Sequence, residues 1–368
     1  MRELFTGYSK KTEEEVKDIW ENALITFDTS VILNLYRYSE STRNTILKLI
    51  TKFQDRVFLP YQVALEYNRN RFEVISEQDK SHNQFIERLK QIENDLNSKI
   101  KPPFLSNDLH KSLSKVFRKV EKEVTLSIEQ FQLMLSEDKI FDEVSQIFEN
   151  KILEKFTSEK LQQLFKEADL RYAKKIPPGF EDIKKEGDKK YGDFIVWTEI
   201  IEKAKSEKKS IILISDERKK DWLWNLKDGR TIGPRQELVE EIKEKANVSF
   251  HIYNSERFLN FGQNYLNEIV NKEAIEEIEG IKKYNNMKVD ELANESNKII
   301  ENFHRTLENH LEKLSPLEAD IIRLNIGHRD MKPMSIKEIA ETFDMTPKKI
   351  KSIKEYALKK ILKMEKGE

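Results

Sequence analysis

Cysteine is absent from the chain, which excludes a disulfide framework and any thiolate metal site and points to a reducing, cytoplasmic setting. Glycine is scarce where it matters: there is none between Tyr8 and Pro178, so that stretch lacks the commonest turn residue and reads as long helices. Charge is plentiful but has no surplus. Charged residues make up 36% and cancel to a formal net charge of -1, the pattern of solvated helices rather than of a basic coat, so any basic surface must be local. No apolar run approaches the roughly 18 residues of a membrane span, and the opening residues are polar and acidic, unlike a secretory leader. The 6 histidines are scattered, with no helical pair at metal spacing, which disfavours a zinc hydrolase.

What is present is organised around Leu24 to Arg37, LITFDTSVILNLYR. A short apolar run ends in Asp28 and gives way to a helical pattern. That places a carboxylate at the C-terminal end of a buried strand, where open α/β sheets bind ligands. The length of 368 residues suits two or three domains. A helix around Thr12 to Trp20 lies in an N-terminal extension (1–22) and carries a capping box, Thr12 with Glu15. Ser41 to Lys52 reads as a helix and Arg56 to Leu59 as a second strand, which makes a βαβ start. In the helix from Tyr61, Val63, Tyr67 and Phe72 share the inward face, with Glu66 beside it.

From about 76 to 175, Leu, Ile and Phe recur at spacings of three and four among charges. This is a helical insertion that Pro102-Pro103 breaks into a hairpin packing largely on itself. Pro, Gly and Lys mark the return to the sheet at Lys174 to Asp193. A helix opens at Asp193, and Ser210 to Ile214 forms a strand ending in Ser215-Asp216, a second acid at a strand end. Val248 to Tyr253 is the last strand, and the α/β domain closes at 262. A helical linker, 263–310, precedes a compact helical unit, 311–368. In that unit Ser335 to Phe343 and Thr346 to Lys363 are helices about an Asp344-Met345 turn. Met345 to Lys363 holds seven lysines against one acid, Glu355, so it reads as a helix-turn-helix with a basic second helix.

Asp28, Glu66, Asp193 and Asp216 are the candidate site. Carboxylates converging on one crevice repel one another unless a cation holds them, and oxygen ligands suit Mg²⁺ or Mn²⁺. Such a metal activates water and neutralises charge developing on a phosphate. Each acid has a plainer alternative at this level: Asp28 or Asp193 as a helix cap, Glu66 as a solvated helix residue, Asp216 as a turn residue. Nearby cations, among them Arg69, Arg71, Lys189, Lys190, Arg218, Lys219 and Lys220, suit a polyanion or ordinary surface charge. Trp197, Trp222 and Trp224 are base-stacking candidates that equally suit a core.

Four blocks in order, DTSVILNLYR, FLPYQVALEYNRNR, PPGFEDIKK with YGDFIVW, and LISDERKKDWLW, resemble a PIN-like nuclease domain of the bacterial subgroup with a long helical insertion. The resemblance covers about 20–262. It implies an α/β parallel-sheet fold, an acidic Mg²⁺ or Mn²⁺ site, and Asp28, Glu66, Asp193 and Asp216 as both catalytic residues and metal ligands, with Asp221 and Asp188 as additional acids. Leu314 to Leu362 resembles region four of bacterial primary sigma factors, an all-α helix-turn-helix. It carries lysines, Lys348, Lys349, Lys351 and Lys354, where that recognition helix commonly has arginines. Lysine offers a point charge rather than a fork for guanine, which favours phosphate contact over base reading.

The expectation is therefore a metal-dependent endonuclease hydrolysing phosphodiester bonds, with RNA taken before DNA as substrate. Its helix-turn-helix binds duplex DNA, and the helical arm offers a surface for a second copy or a protein partner. By resemblance its setting is bacterial, in toxins or antiviral defence. The competing expectation is a non-cleaving DNA-binding regulator or scaffold with a metal-binding PIN-like domain.

Overall fold

A computed structural model describes residues 7–8, 12–53, 55–97, 106–228, 230–266, 272–281, 311–326 and 334–366. The chain forms two compact units, 1–279 and 280–368. In the first, α1 (Glu13–Asn22) carries the expected Thr12/Glu15 capping box and leads into β1 (Leu24–Phe27). Then follow α2 (Thr29–Asn34), α3 (Glu40–Lys52), α4 (Tyr61–Leu96), α5 (Asn107–Leu133), α6 (Lys139–Ile147) and α7 (Ser158–Ala173). The chain returns through α8 (Gly192–Glu207), β2 (Ile211–Ile214), the β3 (Leu223–Asn225) and β4 (Thr231–Pro234) hairpin, α9 (Gln236–Ala246), β5 (Phe250–Tyr253) and α10 (Ser255–Leu266). A further helix, α11, spans 272–281.

The sheet is parallel, in the order β1-β2-β5, with Phe27, Ile214 and Tyr253 in register at its C-terminal edge. Every residue of β1 and β2 is buried, as a parallel sheet covered on both faces requires. The expected strand at Arg56 to Leu59 is reduced to bridges from Val57 to Ile25 and from Leu59 to Ile152. Aromatic packing builds the core beneath the edge: Trp197 meets Phe250 at 4.8 Å, and Phe27 meets Phe148 and Phe258 at 6.0 and 5.5 Å. Trp197 is thus a core residue. Its indole donates to Glu241, which also takes two hydrogen bonds from Arg171.

Three expectations change. Glu66 and the arm share one unbroken 36-residue helix, α4, so no boundary falls at 76. The insertion does not pack only on itself. Ile140, Val144 and Phe148 are buried, and Leu59 exchanges backbone hydrogen bonds with Lys151 and Leu153, so the segment after α5 completes the sheet edge. Phe72 points outward at 43% exposure, because Arg71 lies between its ring and that of Phe141, 4.1 Å from each. The Pro102-Pro103 break lies outside the described residues, as does most of the 263–310 linker. Of its described part, 263–266 end α10, and 272–279 of α11 belong to the first unit, where Glu277 accepts hydrogen bonds from Ser39 and Thr42 at the start of α3.

The second unit contains α12 (Pro316–Ile326), α13 (Ile336–Thr342) and α14 (Pro347–Lys366). Ser335 and Glu338 form a capping box on α13, and Asp344 takes a left-handed conformation (φ 49°) in the turn before α14. Ile321, Ile339, Ala340 and Ile350 form the core between the three helices.

Candidate metal centre

The C-terminal edge of the sheet opens into a pocket of about 340 Å³ lined by Asp28, Glu66, Asp182, Asp193 and Glu217 together with Lys185, Lys189, Lys219 and Arg37. Asp28 occupies the N-cap position of α2, yet its carboxylate makes no cap hydrogen bond. Instead Oδ2 accepts from Ser215 Oγ (2.6 Å) and Ser30 Oγ (3.0 Å). The capping alternative therefore fails, and two adjacent strand ends jointly orient this acid toward the pocket. The enclosing walls raise its pKa despite the two hydroxyls, and Asp193 adds repulsion.

Glu66 reaches the same pocket from the first turns of α4. Its oxygens accept from Gln62 Nε2 (2.8 Å) and Thr29 Oγ1 (3.2 Å). Burial raises its pKa, with Asp193 and Asp28 contributing repulsion. A Cβ on Gly192 would meet Glu66 Oε1 at 2.6 Å; glycine there lets the start of α8 come close. Asp193 follows as the second residue of α8, not its cap. Its Oδ2 accepts from Lys219 Nζ (2.9 Å) and Trp222 Nε1 (3.0 Å).

Asp216 corrects the sequence reading. Its carboxylate accepts from Ser255 N (3.0 Å), Ser255 Oγ (2.7 Å) and Asn34 Nδ2 (3.1 Å), holding the first residue of α10 and tying it to α2. It does not line the pocket. The next residue, Glu217, does. The residue as a whole is exposed, yet the pocket wall desolvates its carboxyl and Asp28 repels it, so its pKa is raised. The sequence signal was the tripeptide Ser215-Asp216-Glu217: Ser215 turns toward Asp28, so the side chain two positions from it, not one, faces the crevice.

The other assignments separate in the same way. Asp221 is fully buried outside the pocket, accepting from Gly179 N (2.7 Å) and Glu181 N (3.3 Å). Asp188 is exposed and does not line the pocket. Arg71 is a packing cation: it bonds Asp138 (2.8 Å), which also caps α6 and accepts from Tyr36. Arg69 is exposed and likewise outside the lining. Asp182, unremarked in the sequence, lines the pocket; burial would raise its pKa, but Lys185 (2.7 Å) and Lys219 (2.9 Å) outweigh that and lower it. In the second unit Lys348, Lys349 and Lys351 are exposed along α14 and Lys354 is half-buried.

A hard divalent cation suits this donor set. The pocket acids offer oxygen alone, and neither Asp28 Oδ1 nor Asp193 Oδ1 accepts a hydrogen bond among the described residues. As placed, no three acidic or histidine side chains among the described residues are close enough to hold an ion. Asp193 is drawn instead to Lys219 and Trp222.

The model of the PIN like domain family matches residues 24–238 and that of Sigma-70, region 4 matches residues 310–363. The chain belongs to the PIN-like domain family, whose members are typically nucleases. Its C-terminal unit is a Sigma-70 region 4 helix-turn-helix, a module that suggests DNA binding. Neither curated proteins nor solved structures give a match. No helix among the described residues is long and apolar enough to cross a membrane.

Proposed function

We propose that this protein is a Mg²⁺- or Mn²⁺-dependent endonuclease whose pocket acids Asp28, Glu66, Asp193 and Glu217 hold the metal, with the C-terminal helix-turn-helix binding duplex DNA. The observation that carries the reading is the convergence of these acids, from the ends of β1 and β2 and the first turns of α4 and α8, on one pocket beside lysines. When bound, the metal supplies an activated water and neutralises charge on the scissile phosphate. The chain's own groups do the rest. Ser30 and Ser215 orient Asp28, while Thr29 and Gln62 orient Glu66. Lys185 and Lys189 line the same pocket and favour a phosphate entering it. RNA is taken as the cleaved strand, and toxin action or antiviral defence as the setting, on the strength of the family resemblance alone.

One observation favours the second reading, a non-cleaving DNA-binding regulator: Lys219 already neutralises Asp193. The two separate on incubating the full chain with labelled single-stranded RNA, single-stranded DNA and duplex DNA, in Mn²⁺ and in EDTA. Internal cleavage that needs Mn²⁺ supports the nuclease. Intact strands under all conditions, with duplex DNA still bound, support the regulator.

A further inference from the structure

Lys219 is a pocket cation that the proposed activity does not use, and it is bonded to two of the pocket acids. Its ammonium lies 2.9 Å from Asp193 Oδ2 and 2.9 Å from Asp182 Oδ2, with the side chains 21%, 21% and 10% exposed in the order Lys219, Asp193, Asp182. Two neighbours make this bridge asymmetric. Asp182 has a second ammonium, Lys185, at 2.7 Å, whereas among the described residues Asp193 has only Lys219 and the Trp222 N–H. Asp221, beyond the pocket, accepts from the backbone of Gly179 and Glu181 and so pins the segment carrying Asp182 to the loop carrying Lys219. The Lys219–Asp182 contact is thus held by the fold without help from Asp193.

We propose that Lys219 is a built-in counter-ion, holding Asp193 in the metal's place and ceding it to a divalent cation while keeping Asp182 as its own partner. The inference rests on the metal-dependent reading above. Its physical basis is competition: an ammonium and a divalent cation sharing one carboxylate weaken each other's hold by the same factor. Asp182 is the part that makes the exchange inexpensive, since a half-buried ammonium left without any carboxylate would oppose metal entry. Lysine suits the task better than arginine, being a compact charge with three donors on a flexible stem that can favour either partner. Asp193 Oδ1 accepts no hydrogen bond among the described residues and faces no competition for the incoming ion.

The proposal makes opposite-signed claims about two residues outside the ligand set. Calorimetric titration of MnCl₂ into the full chain, with metal-free thermal melting in EDTA, is run on wild type, Lys219→Met, Asp182→Asn and Asp28→Asn. Lys219→Met should bind Mn²⁺ roughly tenfold more tightly, near the low end for coupled sites, and melt earlier without metal. Asp182→Asn should bind Mn²⁺ more weakly than wild type, and it carries the test alone if Lys219→Met does not fold. Unchanged or weaker Mn²⁺ binding by Lys219→Met, or unchanged or tighter binding by Asp182→Asn, overturns the counter-ion role while Asp28→Asn still loses the metal. If wild type binds no Mn²⁺, or Asp28→Asn binds it as wild type does, the metal site itself falls and the counter-ion role with it.

Discussion

The first unit encloses the carboxylates that matter: Asp28 and Glu66 sit in walls that raise their pKa, and Asp193 bonds to a lysine and an indole. The second unit displays its charge. Lys348, Lys349 and Lys351 stand on the outside of α14, over a core of Ile321, Ile339, Ala340 and Ile350. Enclosed charge changes its chemistry through desolvation and specific partners and is weakly screened. Displayed charge is screened by salt and acts through number rather than placement. Each of the following experiments presses on that contrast.

The largest effect concerns what encloses the first unit. Replacing Ser81 to Phe165 by a short turn should yield no folded protein, because it removes buried Ile140, Val144, Phe148 and Leu164 and the strand partners of Leu59. Replacing only Gln84 to Ser127, the outer part of the α4–α5 pair, should leave a cooperative thermal transition. A folded product from the longer deletion means that the segment after α5 is not part of the core.

This boundary was illegible in the sequence for a physical reason. Helical periodicity in α4 runs unbroken from the turn carrying Glu66 into the arm, and nothing in that pattern marks where it leaves the body. Asp28, by contrast, was legible, since a buried strand followed at once by a helix leaves few directions for the residue between them. Asp216 and Glu217 were not separable, because the direction of a side chain just past a strand depends on the loop, and here Ser255 captures Asp216. On α14, Lys348, Lys349 and Lys351 are exposed, as the pattern of the sequence expects, whereas Lys354 is half-buried and Lys360 bonds Glu318 at 2.9 and 3.0 Å, contacts that the pattern does not show.

Displayed charge should behave additively. Changing Lys348, Lys349 and Lys351 together to Ala in the full chain should weaken duplex DNA binding at all sequences alike. The slope of log K against log salt should fall by roughly 3, about 0.9 for each phosphate no longer neutralised. Fluorescence anisotropy across a salt series reads both. A change confined to one DNA sequence contradicts phosphate contact and points to base reading.

A smaller effect comes from a buried acid outside the pocket lining. Burial pushes Glu199 up to about 8, with one carboxylate oxygen on Gln62 N (3.2 Å) and the other without a hydrogen-bond partner among the described residues. A folded-state pKa above the unfolded one means that the contribution is fully present below about 4.5 and is lost as pH rises through about 8. Wild type should therefore lose melting temperature between pH 5 and about 8.5 faster than Glu199→Gln, which keeps the neutral form throughout. Parallel melting curves would show that Glu199 is not the proton-binding group.

The central claim, that enclosed acids around Asp28 cut nucleic acid, is tested most directly by comparing the two strand-end acids in one assay: Mn²⁺-dependent cleavage of single-stranded RNA by Asp28→Asn and by Asp216→Asn. Asp28→Asn should lose activity by on the order of 100-fold or more while melting no earlier than wild type in EDTA. Asp216→Asn should cleave within a few-fold of wild type and melt earlier, because an amide nitrogen in place of one carboxylate oxygen forfeits at least one of the hydrogen bonds from Ser255 and Asn34, a loss of about 1 kcal/mol. The opposite result, cleavage retained by Asp28→Asn and abolished in Asp216→Asn, would contradict the account.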